Sequence, residues 1–541
     1  MIVVKKSTLI VFLSFLVSIS CFSKETKAKI KNELNNKPEK PNIIMILADD
    51  MGYSDLGCYG SEISTPNLDK LAQNGMRFTQ MHNTSKSFPS RACLLTGVYA
   101  QQSGMSKSPS TIKNTISMGD LLKSVGYRTL FSGKNHSKTS LYTFGFDRVY
   151  EFFGGATNHF NPGEQHEGEL KPIFKGGPDT WNIDDKPNFP YNPPKDFYST
   201  DYFTKNAISY LEEYKNEKKP FFLYLAFTAP HDPLMAWPED IAKYRGKYKV
   251  GYQAIRDARY KKMLELGMVD PRMKLSKQTS IDWNTLSENE KDQEDLRMSI
   301  YAAMIDRIDQ NIGKLLQKLK ETGKLDNTLI LFASDNGACA ENAEGNIKNP
   351  IDGEPGTVSY WASLKENWAN VSNTPYRYFK NNSYEGGICT PFIAWWPNVI
   401  KQKGSIDNQP FHFVDLMATF KDLTGATYPT NFRNQEIVPL HGESFLPALK
   451  GQALKERGKP IFWQWAKGKA VRLGSWKAVA NKNVWALYDM KTDRNETADL
   501  KEKYPDKFNE LIKLYDDWAN KNVPTVESKN NTSKNSNDTN D

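Results

Sequence analysis

The chain is short of cysteine. Five residues, Cys21, Cys58, Cys93, Cys339 and Cys389, are scattered through 541 positions, and no two form a C-x-x-C pair. That spacing excludes a zinc ribbon or a dithiol redox motif. So few thiols in so long a chain build no disulfide framework, and spacing does not say which of them pair. Long apolar runs are missing too: beyond residue 22 none approaches the roughly 20 residues of a bilayer-spanning helix. No segment repeats. The formal net charge of +8 is spread over interspersed basic and acidic side chains, whereas a nucleic-acid binder concentrates its positive charge in a stripe. This balance favours anionic partners only weakly. What remains is an ordinary globular composition, 39% hydrophobic, long enough for one large domain and a smaller one.

The N-terminus carries Lys5 and Lys6, then an apolar run from Leu9 to Ile19, then Ser20-Cys21-Phe22-Ser23. This reads as an export signal over residues 1–22, too short for a membrane span. Cys21 stands where a bacterial lipoprotein signal places its lipidated cysteine, although Ser18 matches poorly. Plain cleavage into the periplasm and lipid anchoring at the outer membrane or cell surface both stay open, and Cys21 is the only route to a membrane. Residues 23–40 read as a polar linker and 526–541 as a polar tail.

Between them, short apolar runs alternate with helical patterns. Asn42 to Ala48, Tyr127 to Phe131, Pro220 to Phe227 and Thr328 to Ala333 read as buried strands. A helix is expected from Thr65-Pro66 to Gly75, and the stripe from Ile300 to Leu319 predicts another ending at Gly323. The alternation predicts an α/β fold with a large, mostly parallel sheet covered by helices on both faces, spanning residues 41–451. Over 452–525 four closely spaced strand candidates and a helix from Tyr504 to Ala519 predict a small antiparallel sheet with one packed helix.

In such sheets ligand sites lie beyond the carboxyl ends of the strands. There the chain places Asp49-Asp50, Lys134-Asn135-His136, His231 and Asp335-Asn336-Gly337. Taken singly these are turns or caps. Together they bring carboxylates, an amide, a lysine and histidines to one edge, and the oxygen donors suit Ca²⁺ or Mg²⁺ better than zinc or copper. The sharpest local feature is Ser87-Phe88-Pro89-Ser90-Arg91-Ala92-Cys93-Leu94-Leu95-Thr96-Gly97. Pro89 sits in a first helical turn, so residue 87 faces a helix N-terminus, where anions are stabilised, or simply caps the helix.

Ser87-x-Pro-Ser90-Arg91 with Leu95-Thr96-Gly97 resembles the signature of the type I sulfatases, in the alkaline phosphatase superfamily. The likeness runs from Pro41 to about Pro524: Asn42 to Gly60, Gly133-Lys134-x-His136, Pro230-His231-x-Pro233, Ser334 to Gly337, and Lys380 ahead of Tyr384-Glu385-Gly386-Gly387 are similar to family motifs. The resemblance implies an alkaline-phosphatase-like fold and an exported sulfuric ester hydrolase. Ser87 would be oxidised to formylglycine, in the serine form by a radical-SAM maturase. It implies one Ca²⁺ ion, with Mg²⁺ the lesser fit, on Asp49, Asp50, Asp335, Asn336 and residue 87, with Arg91, Lys134, His136, His231 and Lys380 completing the catalytic set. Asn135 stands where the family usually has an aromatic residue and Cys389 where it often has Arg.

On this reading Arg91 and Lys134 steady nucleophile and sulfate, His136 orients the formylglycine hydroxyls, and His231 and Lys380 bind sulfate and protonate the leaving alkoxide. The expected partner is a sulfated polysaccharide or oligosaccharide. The segments from Val149 to Thr200 and from Pro350 to Lys380 are expected to be loops around the pocket. Two other readings stay open: a phosphoester or phosphonate hydrolase of the same superfamily, and an inactive carbohydrate-binding relative.

Overall fold

In this computed structural model the described residues are 40–174, 180–188 and 191–523. The export signal, Cys21, the linker to residue 39 and the tail from 526 lie outside them.

Strand β1 (Asn42–Ala48) is buried at all seven positions, because it runs through the middle of a sheet covered on both faces. Successive side chains of a strand point to opposite sides, and here they enter two different cores. Ile44 and Ile46 pack with the long helix Glu288–Glu321 through Met304, Ile305 and Ile308, while Ile43, Met45 and Leu47 pack with Leu94, Met417 and Phe420. An apolar run without alternation is therefore what a two-sided strand demands. Among the described residues no helix is long and apolar enough to cross a membrane.

The neighbours of β1 are β5 (Phe221–Ala226) and β6 (Thr328–Ser334), both parallel to it. β3 (Arg128–Lys134) lies parallel beyond β5, and β4 (Arg148–Phe152) parallel beyond β3. On the other flank β7 (Cys389–Trp395) runs antiparallel to β6, and β2 (Met76–His82) antiparallel to β7. Short strands at 181–183, 186–187, 405–407 and 411–412 extend the sheet to eleven strands.

Four further strands, β8 (Ile461–Trp465), β9 (Gly468–Leu473), β10 (Trp476–Asn481) and β11 (Val484–Asp489), form an antiparallel meander. Helix Pro505–Asn522 covers it, with Leu511, Tyr515 and Trp518 buried. Phe462, Val471, Ala478 and Leu487 of this sheet belong to the same apolar cluster as Phe78, Phe411 and Met417 of the main body.

The two segments expected to be loops around the pocket also carry regular structure. The stretch from Val149 to Thr200 contains most of β4 and the strands at 181–183 and 186–187, and several of its aromatic residues are core: Trp181 stacks on Tyr191 at 4.5 Å and is 1% exposed. The stretch from Pro350 to Lys380 carries helix Lys365–Ser372 with Trp368 fully buried. Large rings bury about 150–250 Å² each, which favours holding these in the core.

Candidate active site

Sheet register assembles the site. Ala48 lies opposite Ser334 in the β1/β6 ladder, so Asp49-Asp50 and Asp335-Asn336 leave adjacent strands side by side. The backbone N–H of Asp335 donates to Ala48 O (3.1 Å). Two strands away, β3 delivers Lys134. Gly133 just before it has φ +131°, and a Cβ there would stand 1.8 Å from Ala226 O, so only glycine lets β3 close on β5 at that point. Gly337 is constrained in the same way, since its Cβ would fall 1.9 Å from Gly386 O, which is why the Asp335-Asn336-Gly337 turn meets a Gly-Gly pair.

Helix Ser87–Thr96 points its first turn at this edge. Lys86 occupies the cap position, so Ser87 opens the helix rather than capping it, and its hydroxyl faces the carboxylates. Ser87 Oγ lies 3.2 Å from both Asp49 Oδ1 and Asn336 Oδ1. One turn on, Arg91 donates from Nε to Asp335 Oδ2 (2.8 Å) and from a terminal nitrogen to the Lys134 carbonyl (2.7 Å). Lys134 Nζ donates to Asp49 Oδ2 and to Gly155 O. Lys380 Nζ donates to Asp50 Oδ2 (2.7 Å), and Asn336 Nδ2 to Asp50 Oδ1 (2.5 Å). His231 Nε2 stands 3.5 Å from Asp50 Oδ2, in a turn with cis bonds before Pro230 and Pro233. Asp49, Asp50 and His231 thus place ligand atoms within 4.8 Å of one another.

Two unit charges about 4 Å apart interact by roughly 4 kcal/mol at an effective dielectric of 20, so three buried carboxylates persist only with cations between them. Arg91, Lys134 and Lys380 are those cations. Burial works to raise the Asp49 and Asp50 carboxyls, but Lys134 and Lys380 respectively, together with His231, hold both below the usual carboxylate range. Asp335 behaves oppositely: burial and then the charge of Asp49 push it up to about 6, against Arg91. Burial works against the Lys380 charge, which Asp50 nevertheless holds well above its ordinary pKa. Burial, then Lys134 and Arg91, push His136 well below its usual value, so its ring is neutral, and among the described residues its Nδ1 has no hydrogen-bond partner.

The residues singled out from the sequence therefore meet in one place: Asp49, Asp50, Ser87, Arg91, Lys134, His231, Asp335, Asn336 and Lys380 form one bonded set, with His136 beside them. Asn135, in place of an aromatic, donates to Glu151 Oε1 (2.7 Å) and so ties the loop behind Lys134 to β4. Cys389 is fully buried, with Sγ 3.5 Å from Thr79 O, inside the body rather than at the pocket. It joins His82 and Glu385 in a second grouping of ligand types. There the ring nitrogens of His82 bond Phe411 O and Glu385, and Lys477 takes the other Glu385 oxygen, which makes the group a structural tie. Cys58, Cys93, Cys339 and Cys389 are all free.

His159 escaped the sequence reading. It is fully buried, pairs Nδ1 with Ser199 Oγ (2.7 Å) and places Nε2 3.1 Å from the His231 carbonyl. Burial pushes its pKa down to about 4, so the ring is neutral. Accepting from Ser199 at Nδ1, it donates from Nε2 and holds the His231 turn. No strand or helix pattern marks this loop position.

Glu151 supplies a pH test. Its carboxylate accepts from Asn135, the Leu141 N–H (3.0 Å) and Ser140 Oγ (2.9 Å), yet burial raises its pKa to about 7. A carboxyl raised in the folded state contributes stability at low pH that is lost as pH climbs from about 4.5 to about 7, roughly 3 kcal/mol in all. Glu151→Gln is expected to gain on the wild type by up to about that amount between about pH 5 and about pH 8 in urea denaturation. Parallel pH profiles for the two proteins would contradict the assignment.

Fold and site together define an ester hydrolase of the alkaline-phosphatase-like class. More narrowly, the chain belongs to the sulfatase family, the sulfuric ester hydrolases: the family model described as Sulfatase matches residues 41–426. It is 30% identical over 535 residues to an uncharacterised sulfatase of Schizosaccharomyces pombe, covering 88% of this chain and 93% of that one. It is 34% identical over 440 residues to an arylsulfatase of Klebsiella aerogenes, covering 75% and 91%. Among solved structures, Ps i-CgsB in complex with k-i-k-neocarrahexaose superposes with a TM-score of 0.66 at 27% identity, over 89% of this chain and 93% of that one.

Proposed function

We infer that this sulfatase is exported and cleaves sulfate esters of carbohydrates, with residue 87 oxidised from serine to formylglycine and a Ca²⁺ ion on Asp49, Asp50, Asp335 and Asn336. The observation that carries the reading is one buried hydroxyl at a helix N-terminus, ringed by hard oxygen donors and three cationic side chains. Three carboxylates and an amide oxygen suit Ca²⁺, and Asp49 and Asp50, with His231, bring ligand atoms within 4.8 Å of one another. The residues present therefore fit the ion, which when bound would polarise a sulfate oxygen as a Lewis acid. Residue 87, once oxidised and hydrated, would offer one hydroxyl to attack sulfur and a second to release sulfate afterwards.

The rest is the work of this chain's own side chains. Arg91 and Lys134 hold the nucleophile and the sulfate oxygens by charge-assisted bonds. His136, neutral, orients the hydroxyls of residue 87. His231, the more accessible of the last pair at 14% against 2% for Lys380, binds sulfate with it, and a proton passes from this pair to the leaving oxygen. The carbohydrate substrate draws support from Ps i-CgsB, whose structure holds k-i-k-neocarrahexaose. Export rests on residues 1–22, and maturation by a radical-SAM enzyme on serine at position 87.

The test is the mass of the tryptic peptide Ser87 to Arg91 from the native host. It should be lighter by two hydrogens and react as an aldehyde; unmodified serine throughout would overturn the formylglycine reading. Chelation should lower sulfate release at least about tenfold and depress the melting temperature, with Ca²⁺ restoring both. Restoration by Zn²⁺ but not Ca²⁺ would sink the metal assignment. Faster phosphate than sulfate release would favour the phosphoester reading.

A further inference from the structure

One cluster at the head of the site has no part in the chemistry above. Trp465, half-buried at the end of β8, meets Phe88 edge-on at 5.0 Å and donates from Nε1 to Asn381 Oδ1 (3.0 Å). Asn381 directly follows Lys380, and its Nδ2 donates to Glu341 Oε1 (3.1 Å). The Glu341 side chain is 52% exposed and stands 3.5 Å from Lys86 Nζ. Lys86 and Phe88 flank Ser87, so the cluster touches the chain on either side of the nucleophile and just past Lys380. Burial works to raise the Glu341 carboxyl, but Lys380 and Lys86 hold it below its ordinary range, which places it within electrostatic reach of the reacting centre.

These groups are held by one another before any ligand arrives, so docking against them costs little ordering. Their chemistry is selective. An aromatic surface covers the C–H face of a sugar ring. A carboxylate and an amide oxygen accept from its hydroxyls. Neither attracts a second sulfate, and the exposed Glu341 carboxylate repels one with the charge that Lys86 leaves uncancelled.

We propose that Trp465, Glu341 and Asn381 form the leaving-group subsite and select sugars whose ring carries a free hydroxyl, rather than another sulfate, beside the scissile ester. The inference rests on the sulfatase reading above. It makes the C-terminal sheet, through Trp465, part of the specificity apparatus.

The test uses the matured full-length protein with a panel of monosulfated pyranoses, their vicinally disulfated counterparts, and 4-nitrophenyl sulfate, which has no hydroxyls. Glu341→Gln should lower kcat/KM on the preferred monosulfated sugar about ten times more than on 4-nitrophenyl sulfate, and should shrink the preference for mono- over disulfated sugar. Trp465→Ala should raise KM on the sugar about tenfold with kcat within about threefold, and Trp465→Phe should restore most of the loss. Equal losses of Glu341→Gln on all substrates, an unchanged mono-to-disulfated ratio, or a Trp465→Ala effect on kcat alone would overturn the subsite. So would wild-type turnover of 4-nitrophenyl sulfate with none of any monosulfated pyranose. A wild type that releases sulfate from nothing fails the sulfatase reading itself, and this inference with it.

Discussion

Ser87→Ala should give a folded protein whose sulfate turnover has fallen on the order of 10⁴-fold or more, the scale on which losing a covalent nucleophile is felt. The thiol nearest to it in the chain cannot take its place. Cys93 lies in the same helix, but it is fully buried, bonded to Thr84 Oγ1 at 3.5 Å, and pushed up by burial to about 11; a thiol so placed stays protonated and unreactive. The structural cost is small. The lost hydroxyl makes contacts with Asp49 and Asn336, worth about 1–3 kcal/mol in a site of this kind, so the melting temperature should move by only a few degrees. Sulfate release and a thermal melt on the same preparation decide the matter. Residual kcat above about 1% of wild type would mean that the attacking group is elsewhere.

Arg91→Leu should do double damage. The guanidinium is 3% exposed and stands between Asp335, the Lys134 carbonyl and Asp49. Removing one partner of a buried ion pair costs about 3–5 kcal/mol, because the other charge stays buried and unpaired. Here that charge is Asp335, already pushed up to about 6, so the variant should take up a proton as well as lose stability. Turnover should fall at least about 10²-fold, since a cation that steadies the transition state is gone. Arg91→Lys should recover part of the stability and less of the activity, because an ammonium cannot reproduce the fork of contacts. A loss below about 1 kcal/mol for Arg91→Leu in urea denaturation would contradict the buried-pair argument.

Much of this was legible in the sequence, for a physical reason. A parallel strand buried on both faces must be an unbroken apolar run, so the polar residues that end the run stand out: Asp49 after β1, Lys134 at the end of β3, Asp335 after β6. The meander of β8 to β11 was legible because its pairings are local, with Trp465 opposite Gly468 and Leu473 opposite Trp476. What stayed hidden has no periodicity to reveal it. His159 and Glu341 sit in irregular loops, and Trp465 reaches Asn381 across 84 residues. Between 149 and 200, Gly, Pro and Asn masked two very short strands, and Trp181, Tyr191 and Phe197 of that stretch pack as core.

The meander has a consequence for the order of biosynthesis. Trp463 Nε1 donates to Asn83 O across 380 residues of chain (2.8 Å), and Trp465 meets Phe88 edge-on, so a sheet far along the chain covers the segment holding Ser87, which is 1% exposed. On the formylglycine reading proposed above, an enzyme oxidising Ser87 would have to reach it before strands β8 to β11 pack over this segment, and a chain that folded first would keep its serine.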